Sequence, residues 1–265
     1  MKNYFKIFGK YITDTNYRFY MNSSWGLCNH LDDETYLKRL FRARMGKELN
    51  LNNPQTFNEK LQWLKLYDRK PIYTTMVDKY AAKKYVADII GEEYVIPTLG
   101  VWDKFEDIDF EALPDQFVLK CTHDSGGLVV CRSKSSLDKF KVKRMIERAL
   151  ATDYYLTGRE WPYKNVPRKI IAEKYMEDNE TQELRDYKFF CFNHEPKFLY
   201  ISRGLEYHPT AEISFYDLTG NELPFHRSDY KPFHNAIVSD QFDNMKKIAG
   251  KCRPPIYQNR FVRNK

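Results

Sequence analysis

One stretch of the chain, residues 117–132, limits the possible folds more than any other. It reads FVLKCTHDSGGLVVCR, two apolar runs separated by a polar segment with two glycines, which predicts a β-hairpin. Lys120 lies inside the first run, where a lysine costs desolvation free energy unless it meets an anion. Glycine lets a ligand approach the backbone closely, so Lys120 with Ser125, Gly126 and Gly127 predicts a phosphate-binding turn. The alternative is an ordinary hairpin whose lysine reaches the edge of a sheet.

The composition indicates a soluble globular protein with an anionic partner. Of 265 residues, 42% are hydrophobic and 30% charged, and the net charge is +7. No compact run of lysine and arginine with interleaved aromatics is present, so we expect no nucleic-acid partner.

The cysteines and the apolar runs bear on the compartment. The five cysteines are scattered without a CxxC pair, which indicates reduced core residues and neither disulfides nor zinc ligands. No signal peptide and no run long enough to span a bilayer is evident, so we expect a cytoplasmic protein without a transmembrane segment.

The first 70 residues predict a helical arm, with a capping box that begins a helix at Thr56. Residues 78–90 predict a further helix. Another is expected from a cap at Ser135 and Ser136 to about Leu150, and its expected buried face includes Phe140 and Met145.

Strands are expected at 95–102, 169–176, 186–192 and 197–202, with a further hairpin that begins with 211–217. This order of helices and hairpins predicts an α+β protein with antiparallel sheets.

Four fragments together suggest a family. They are DKYAAKKYV, FVLKCTHDSGG, YYLTGREWPYKNVPRKIIAEKYM and DYKFFCF. In this order, over residues 51–249, the chain closely resembles the TupA-like ATP-grasp family, which is found with bacterial surface-polysaccharide genes. The resemblance implies a two-lobed fold that holds ATP and Mg²⁺, phosphorylates a carboxylate and passes it to an amine. It also implies an anionic saccharide or peptide acceptor.

The resemblance assigns roles to particular residues. Lys120 would pair with the α- and β-phosphates beneath a loop of Ser125, Gly126 and Gly127. Backbone groups of Glu173, Lys174 and Tyr175 would read the adenine. Lys188, with Asp186, would act near the transferred phosphate. The implied division is a helical arm (1–70), an incomplete ATP-grasp-like domain (71–250) whose lobes meet near 169–176, and a basic tail (251–265).

The end of the sequence departs from the family pattern. Family members continue with an Arg-x-Asp strand and a strand ending in Glu, which hold the metal, whereas here no Asp follows Arg260. We therefore expect a truncated member with unknown metal ligands and weak or absent activity. Two alternatives stay open: a glycosyltransferase-like enzyme that uses Asp107 and Asp109, and a non-catalytic remnant that binds a nucleotide or a glycan.

Overall fold

The computed structural model describes residues 2–177, 184–193, 195–205, 210–236, 241–251 and 259–262, and it confirms an α+β fold. Helices make up the first third of the chain and two antiparallel sheets follow. The helices are α1 (Lys2–Thr13), α2 (Thr15–Ser24), α3 (Asp33–Met45), α4 (Phe57–Tyr67), α5 (Pro71–Val77), α6 (Ala81–Ile90), α7 (Lys139–Ala151), α8 (Tyr155–Gly158) and α9 (Phe242–Lys251). The strands are β1 (Thr98–Trp102), β2 (Phe117–Cys121), β3 (Leu128–Cys131), β4 (Ile170–Lys174), β5 (Asp186–Phe192), β6 (Glu195–Arg203), β7 (Glu212–Tyr216) and β8 (Asn259–Val262). No helix in this described part of the chain is long and apolar enough to cross a lipid bilayer.

The helical arm has the boundaries that local capping dictates. The side chain of Asp32 accepts the Thr35 N–H at the start of α3, and Gly46 ends that helix at a φ of 68°, which glycine adopts without strain. Thr56 and Glu59 form the expected capping box at α4. Aromatic and aliphatic side chains of α2, α3 and the turns around them form the core of the arm, among them Phe19, Tyr36, Leu37 and Phe41.

The buried Arg159 joins this arm to the rest of the protein. Its guanidinium donates to the carbonyl oxygens of Asn29 and Leu31 at 3.1 and 3.2 Å and lies 3.7 Å from the Asp33 carboxylate. It also lies over the Tyr36 ring, 4.5 Å from the centroid. Arg159 therefore connects the residues around the start of α3 to the segment that follows α8.

The first sheet has the strand order β1-β4-β2-β3, and the predicted hairpin is its β2–β3 pair. Along β2 the side chains alternate between the two faces. Phe117, Leu119 and Cys121 pack in the core under α7, with Val142 and Ile146 of that helix. Lys120 therefore lies on the other face.

Two expectations for α7 are wrong. Asp138, not a serine, caps the helix, because its side chain accepts the Lys141 N–H. Phe140 is 70% exposed and Met145 is also exposed, since the buried positions are Val142 and Ile146, one turn apart.

The second sheet has the order β7-β6-β5-β8. One face of β5 packs against α9, and the core there includes Tyr187, Phe189 and Met245. The region expected to be a basic tail contributes β8, which pairs with β5 so that Arg260 lies opposite Lys188.

Three other boundaries differ from expectation. The strand expected at 95–102 begins at Thr98, because a short turn occupies Glu92–Tyr94. The helix expected at 78–90 begins at Ala81, after the separate short helix α5. The hairpin begun by β7 closes with a single bridge to Glu222.

We expect Arg159→Ala to lower the free energy of unfolding by about 2 kcal/mol, because it removes a buried guanidinium that hydrogen-bonds to two backbone carbonyl groups, although Asp33 keeps its contacts with Arg69 and Tyr155. Urea denaturation measures this change. Arg148→Ala, which removes an exposed arginine from α7, is the control. Equal stability of the two variants would show that Arg159 does not hold the arm in place.

Candidate functional site

The carboxylate of Glu173 lies between two lysines from different elements. Lys83 of α6 reaches one carboxylate oxygen at 2.7 Å, and Lys120 of β2 hydrogen-bonds to the other. Lys120 pairs with Ile171 across the sheet, so Glu173, two residues further along β4, is its diagonal neighbour on the same face. The pattern of the strands therefore brings Lys120 and Glu173 together, and α6 supplies the second cation.

Burial and charge act on Glu173 in opposite directions. Burial favours the neutral acid and on its own would raise the pKa, but the positive charges of Lys120 and Lys83 and their hydrogen bonds outweigh it and hold the pKa of Glu173 below its ordinary value. The site therefore holds a buried carboxylate with two ammonium groups.

The turn of the hairpin has an open part and a packed part. Ser125 and Gly126 are exposed, and a Cβ added to Gly126 would come no nearer than 4.0 Å to a neighbouring atom. Gly127 is buried, and a Cβ there would lie 2.7 Å from the Cys121 sulfur. Gly127 is therefore required for packing, whereas Ser125 and Gly126 leave room for a ligand to approach the backbone.

Lys79, at the α5–α6 junction, fixes the shape of this turn. Its ammonium group donates to the carbonyl oxygen of Cys121 at 2.7 Å and to that of Asp124, and it lies 3.6 Å from the Asp124 carboxylate. The same carboxylate accepts the Gly127 N–H at 2.7 Å. Burial lowers the pKa of Lys79, and the charge of Asp124 partly offsets this effect.

His123 supports the turn from the inside. Its Nε2 lies 3.2 Å from the carbonyl oxygens of Ala149 and Thr152 at the end of α7. Carbonyl oxygens only accept, so Nε2 carries a proton. His123 therefore holds the turn against the end of α7.

The predicted adenine-reading segment begins inside the first sheet. The backbone of Glu173 and Lys174 lies between β1 and β2, and the Lys174 N–H donates to the Pro97 carbonyl at 3.0 Å. Tyr175 follows the last residue of β4, and its hydroxyl donates to Glu177. Of the three residues predicted to read the adenine, Tyr175 is therefore the one that lies outside the hydrogen-bonded strands.

Asp186 and Lys188 lie in the second sheet, on the face of β5 opposite α9. Asp186 is buried, and the Lys188 ammonium lies 5.1 Å from the centroid of the Tyr200 ring. Around Phe190 on this face an aromatic cluster forms, with Phe198 stacked on it at 4.5 Å. The predicted phosphate-binding and catalytic residues thus belong to different sheets.

A cleft of about 290 Å³ lies against the helical arm, and neither Lys120 nor the residues of the hairpin turn line it. Its walls are α3, α4 and the segment from Tyr154 to Glu160, with Arg44 and Lys65 among the lining side chains. Burial raises the pKa of the Tyr154 hydroxyl, and a hydrogen bond with Ser125 partly offsets that rise. The cleft therefore lies between the helical arm and the segment that follows α7.

The pair Asp107 and Asp109 has a local role. One Asp109 oxygen accepts the N–H groups of Glu111 and Ala112 at 3.0 and 3.3 Å, as in an Asx turn.

Within the described residues there is no group of three or more His, Cys, Asp or Glu side chains placed to hold a metal ion.

The two antiparallel sheets, one of which carries a strand lysine and an open glycine turn, are consistent with an α+β fold of the ATP-grasp class. The model of one family, TupA-like ATPgrasp, matches residues 59–252, well over half of the chain. The chain therefore belongs to the TupA-like ATP-grasp family. No curated protein matches it.

Two lysines of the site are missing from the sequence-based assignments. Lys79 and Lys83 are four residues apart in DKYAAKKYV, but their partners are 42 and 90 residues away in the chain. Lys79 before α6 and Lys83 within it are recognisable as parts of one site only once the fold is known.

We expect Glu173→Gln to flatten the dependence of stability on pH in acid. The pKa of Glu173 is lower in the folded protein than in the unfolded chain, so the unfolded chain binds the proton first as the pH falls. As the pH decreases past the ordinary pKa of glutamate, the free energy of unfolding of the unsubstituted protein should therefore decrease. The decrease should end only at a pH below the pKa of Glu173 in the folded protein.

Urea denaturation at several pH values between about 7 and about 3 measures this dependence. The control is Glu111→Gln, which changes an exposed carboxylate. If the free energy of unfolding of the Glu173→Gln variant depends on pH in acid as that of the control variant does, the two lysines do not stabilise the charged form of Glu173.

Proposed function

We propose that this chain is an ATP-dependent carboxylate–amine ligase-like enzyme of bacterial surface-polysaccharide assembly, in capsule, teichuronopeptide or exopolysaccharide biosynthesis. The observation that carries this proposal is the lysine-bound Glu173 beside an open glycine turn, in a chain of the TupA-like ATP-grasp family. The acceptor is an anionic saccharide or peptide.

Phosphate binding at this site has a defined electrostatic basis. Lys120 and Lys83 share one carboxylate, so Lys120 can turn to a phosphate oxygen while Lys83 still compensates the charge of Glu173. The exposed backbone at Ser125 and Gly126 offers N–H groups to the same phosphates. Both features fit a triphosphate, whose charge is spread over several oxygens.

The reaction has two balanced steps. A carboxylate oxygen of the acceptor attacks the γ-phosphorus of ATP, the bond to the ADP oxygen breaks, and an acyl phosphate and ADP form. An amine nitrogen then attacks the acyl carbon, phosphate leaves, and the amine proton passes to solvent. Such transfer depends on positioning and on cations around the phosphoryl group, the role we propose for Lys188.

Mg²⁺ enters this proposal with the phosphates of ATP, where it neutralises charge. Since the described residues contain no cluster of three or more candidate ligands, we assign it no protein ligand. For the acceptor we propose the cleft lined by Tyr154, where Arg44 offers positive charge to an anionic group while Lys65 is paired with Glu160 of the same cleft.

We expect Lys120→Ala to weaken ATP binding by about ten- to a hundredfold, because a charge-assisted hydrogen bond contributes about 1.5–3 kcal/mol. Isothermal titration calorimetry with ATP measures the dissociation constant. Lys141→Ala, which removes an exposed lysine of α7, should bind ATP as the unsubstituted protein does.

Equal affinity of the Lys120→Ala and Lys141→Ala variants would overturn the phosphate assignment. Titrations with GTP and a UDP-sugar separate this proposal from the glycosyltransferase alternative. Tighter binding of the UDP-sugar than of ATP would favour that alternative.

Because no protein ligand is assigned to the metal, we expect only slow acceptor-dependent ADP release, with a hydroxamate when hydroxylamine replaces the amine, since hydroxylamine attacks an acyl phosphate. Uronates and acidic peptides are the first acceptors to test. Lys188→Ala should reduce turnover on the order of a hundredfold. Lys197→Ala, at the exposed start of β6, is the control. Absence of ADP release in a protein that still binds ATP would favour the non-catalytic alternative.

A further inference from the structure

The first 27 residues expose an unusual number of large apolar side chains. On α1 these are Phe5, Ile7, Phe8 and Ile12, with Phe5 75% and Phe8 63% exposed. Trp25 and Leu27, in the turn after α2, are exposed as well. Single exposed apolar residues are ordinary on protein surfaces, but a group of neighbouring ones marks an interaction surface.

These side chains form one face. Phe5, Phe8 and Ile12 follow each other at intervals of three and four residues, which places them on one side of a helix. The ring of Tyr11 lies 5.9 Å from that of Trp25, and its hydroxyl donates to Asn22 at 2.7 Å. This contact fixes α1 against α2 and extends the exposed apolar surface to Trp25. We name this surface, Phe5, Ile7, Phe8, Ile12, Trp25 and Leu27, the N-terminal apolar face.

The protein does not use this face for its own core. None of the α1 side chains that the structure describes is buried, and the core of the arm begins with Phe19 of α2. Since the exposed apolar residues of this amphipathic helix, Phe5, Ile7, Phe8 and Ile12, join no core cluster of the described residues, tertiary packing there does not account for their pattern.

The charge of the same segment is strongly one-sided. Residues 2–13 include three lysines and no acidic residue, and residues 1–27 include four basic side chains against one acidic one. A helix with an apolar, aromatic side and several lysines is typical of segments that lie in the interface of an anionic lipid bilayer. Trp and Tyr, both present here, favour that interface.

We propose that the N-terminal apolar face binds the protein to the surface of anionic membranes, with α1 lying in the plane of the bilayer. At 12 residues α1 is about 18 Å long, too short to cross a hydrocarbon core of about 30 Å. A symmetric contact with a second copy would bring like-charged lysine segments together, so a lipid surface is the favoured occupant. This inference does not depend on ATP chemistry.

Flotation of the full chain with liposomes tests the proposal. One set contains phosphatidylcholine alone, and the other contains phosphatidylcholine with phosphatidylserine. The unsubstituted protein should float with the anionic vesicles and far less with the neutral ones. Phe5→Gln with Phe8→Gln should reduce binding at least tenfold, because these rings supply the apolar contact.

The matched control replaces two exposed rings elsewhere, Phe57→Gln with Phe140→Gln, and should float like the unsubstituted protein. Circular dichroism confirms that both double variants fold. Protein that stays unbound to both vesicle types, or equal flotation of the two double variants, would overturn the proposal. Light scattering that shows a dimer dissociated by Phe5→Gln with Phe8→Gln, without vesicle binding, would assign the face to a second copy instead.

Discussion

The two lysine contacts of Glu173 connect the parts of the protein on which the proposed site depends. They join β4, β2 and α6, three elements that are far apart in the chain. A buried carboxylate is costly unless its charge is compensated, so the contacts constrain the strands and the helix together. Lys83 also donates to the Ile96 carbonyl just before β1, which brings a further strand into the same arrangement.

A second polar cluster holds the arm beside this site. Asp33 at the start of α3 accepts hydrogen bonds from Tyr155 and from Arg69, and it lies close to Arg159. Tyr36 of the same helix donates to the Thr157 carbonyl. The segment that provides Tyr154 is therefore fixed from the arm side, and the cleft that this segment lines has the arm as its other wall.

Local patterns predict much of this structure, and tertiary contacts decide the rest. The hairpin with Lys120 and the caps at Thr56 and Gly46 depend on neighbouring residues and are predictable. The exposed position of Phe140 is not, because the phase of α7 depends on the sheet beneath it. Similarly, α1 carries a clear amphipathic pattern, but its apolar side faces outward, so the pattern does not indicate a core.

The residues of the candidate site also include some that local patterns predict and others whose position depends on tertiary contacts. Lys120, Ser125 and Gly126 are predictable from the residue types of one hairpin, whereas Lys79 and Lys83 acquire their roles only when α6 packs beside it. The assignments of Asp186 and Lys188 depend on the family resemblance, because their alternation in β5 alone equally fits an ordinary strand face.

The unequal exposure of the charges at this site affects how the protein responds to ionic strength. At about 0.15 M salt the screening length is about 8 Å, and mobile ions weaken interactions between exposed charges much more than those between buried ones. Under the proposed function, phosphates at the exposed turn would therefore be sensitive to salt, whereas the buried carboxylate of Glu173 would keep Lys83, the less exposed of its two lysines. Added salt thus separates the electrostatics of ligand binding from those that hold the fold.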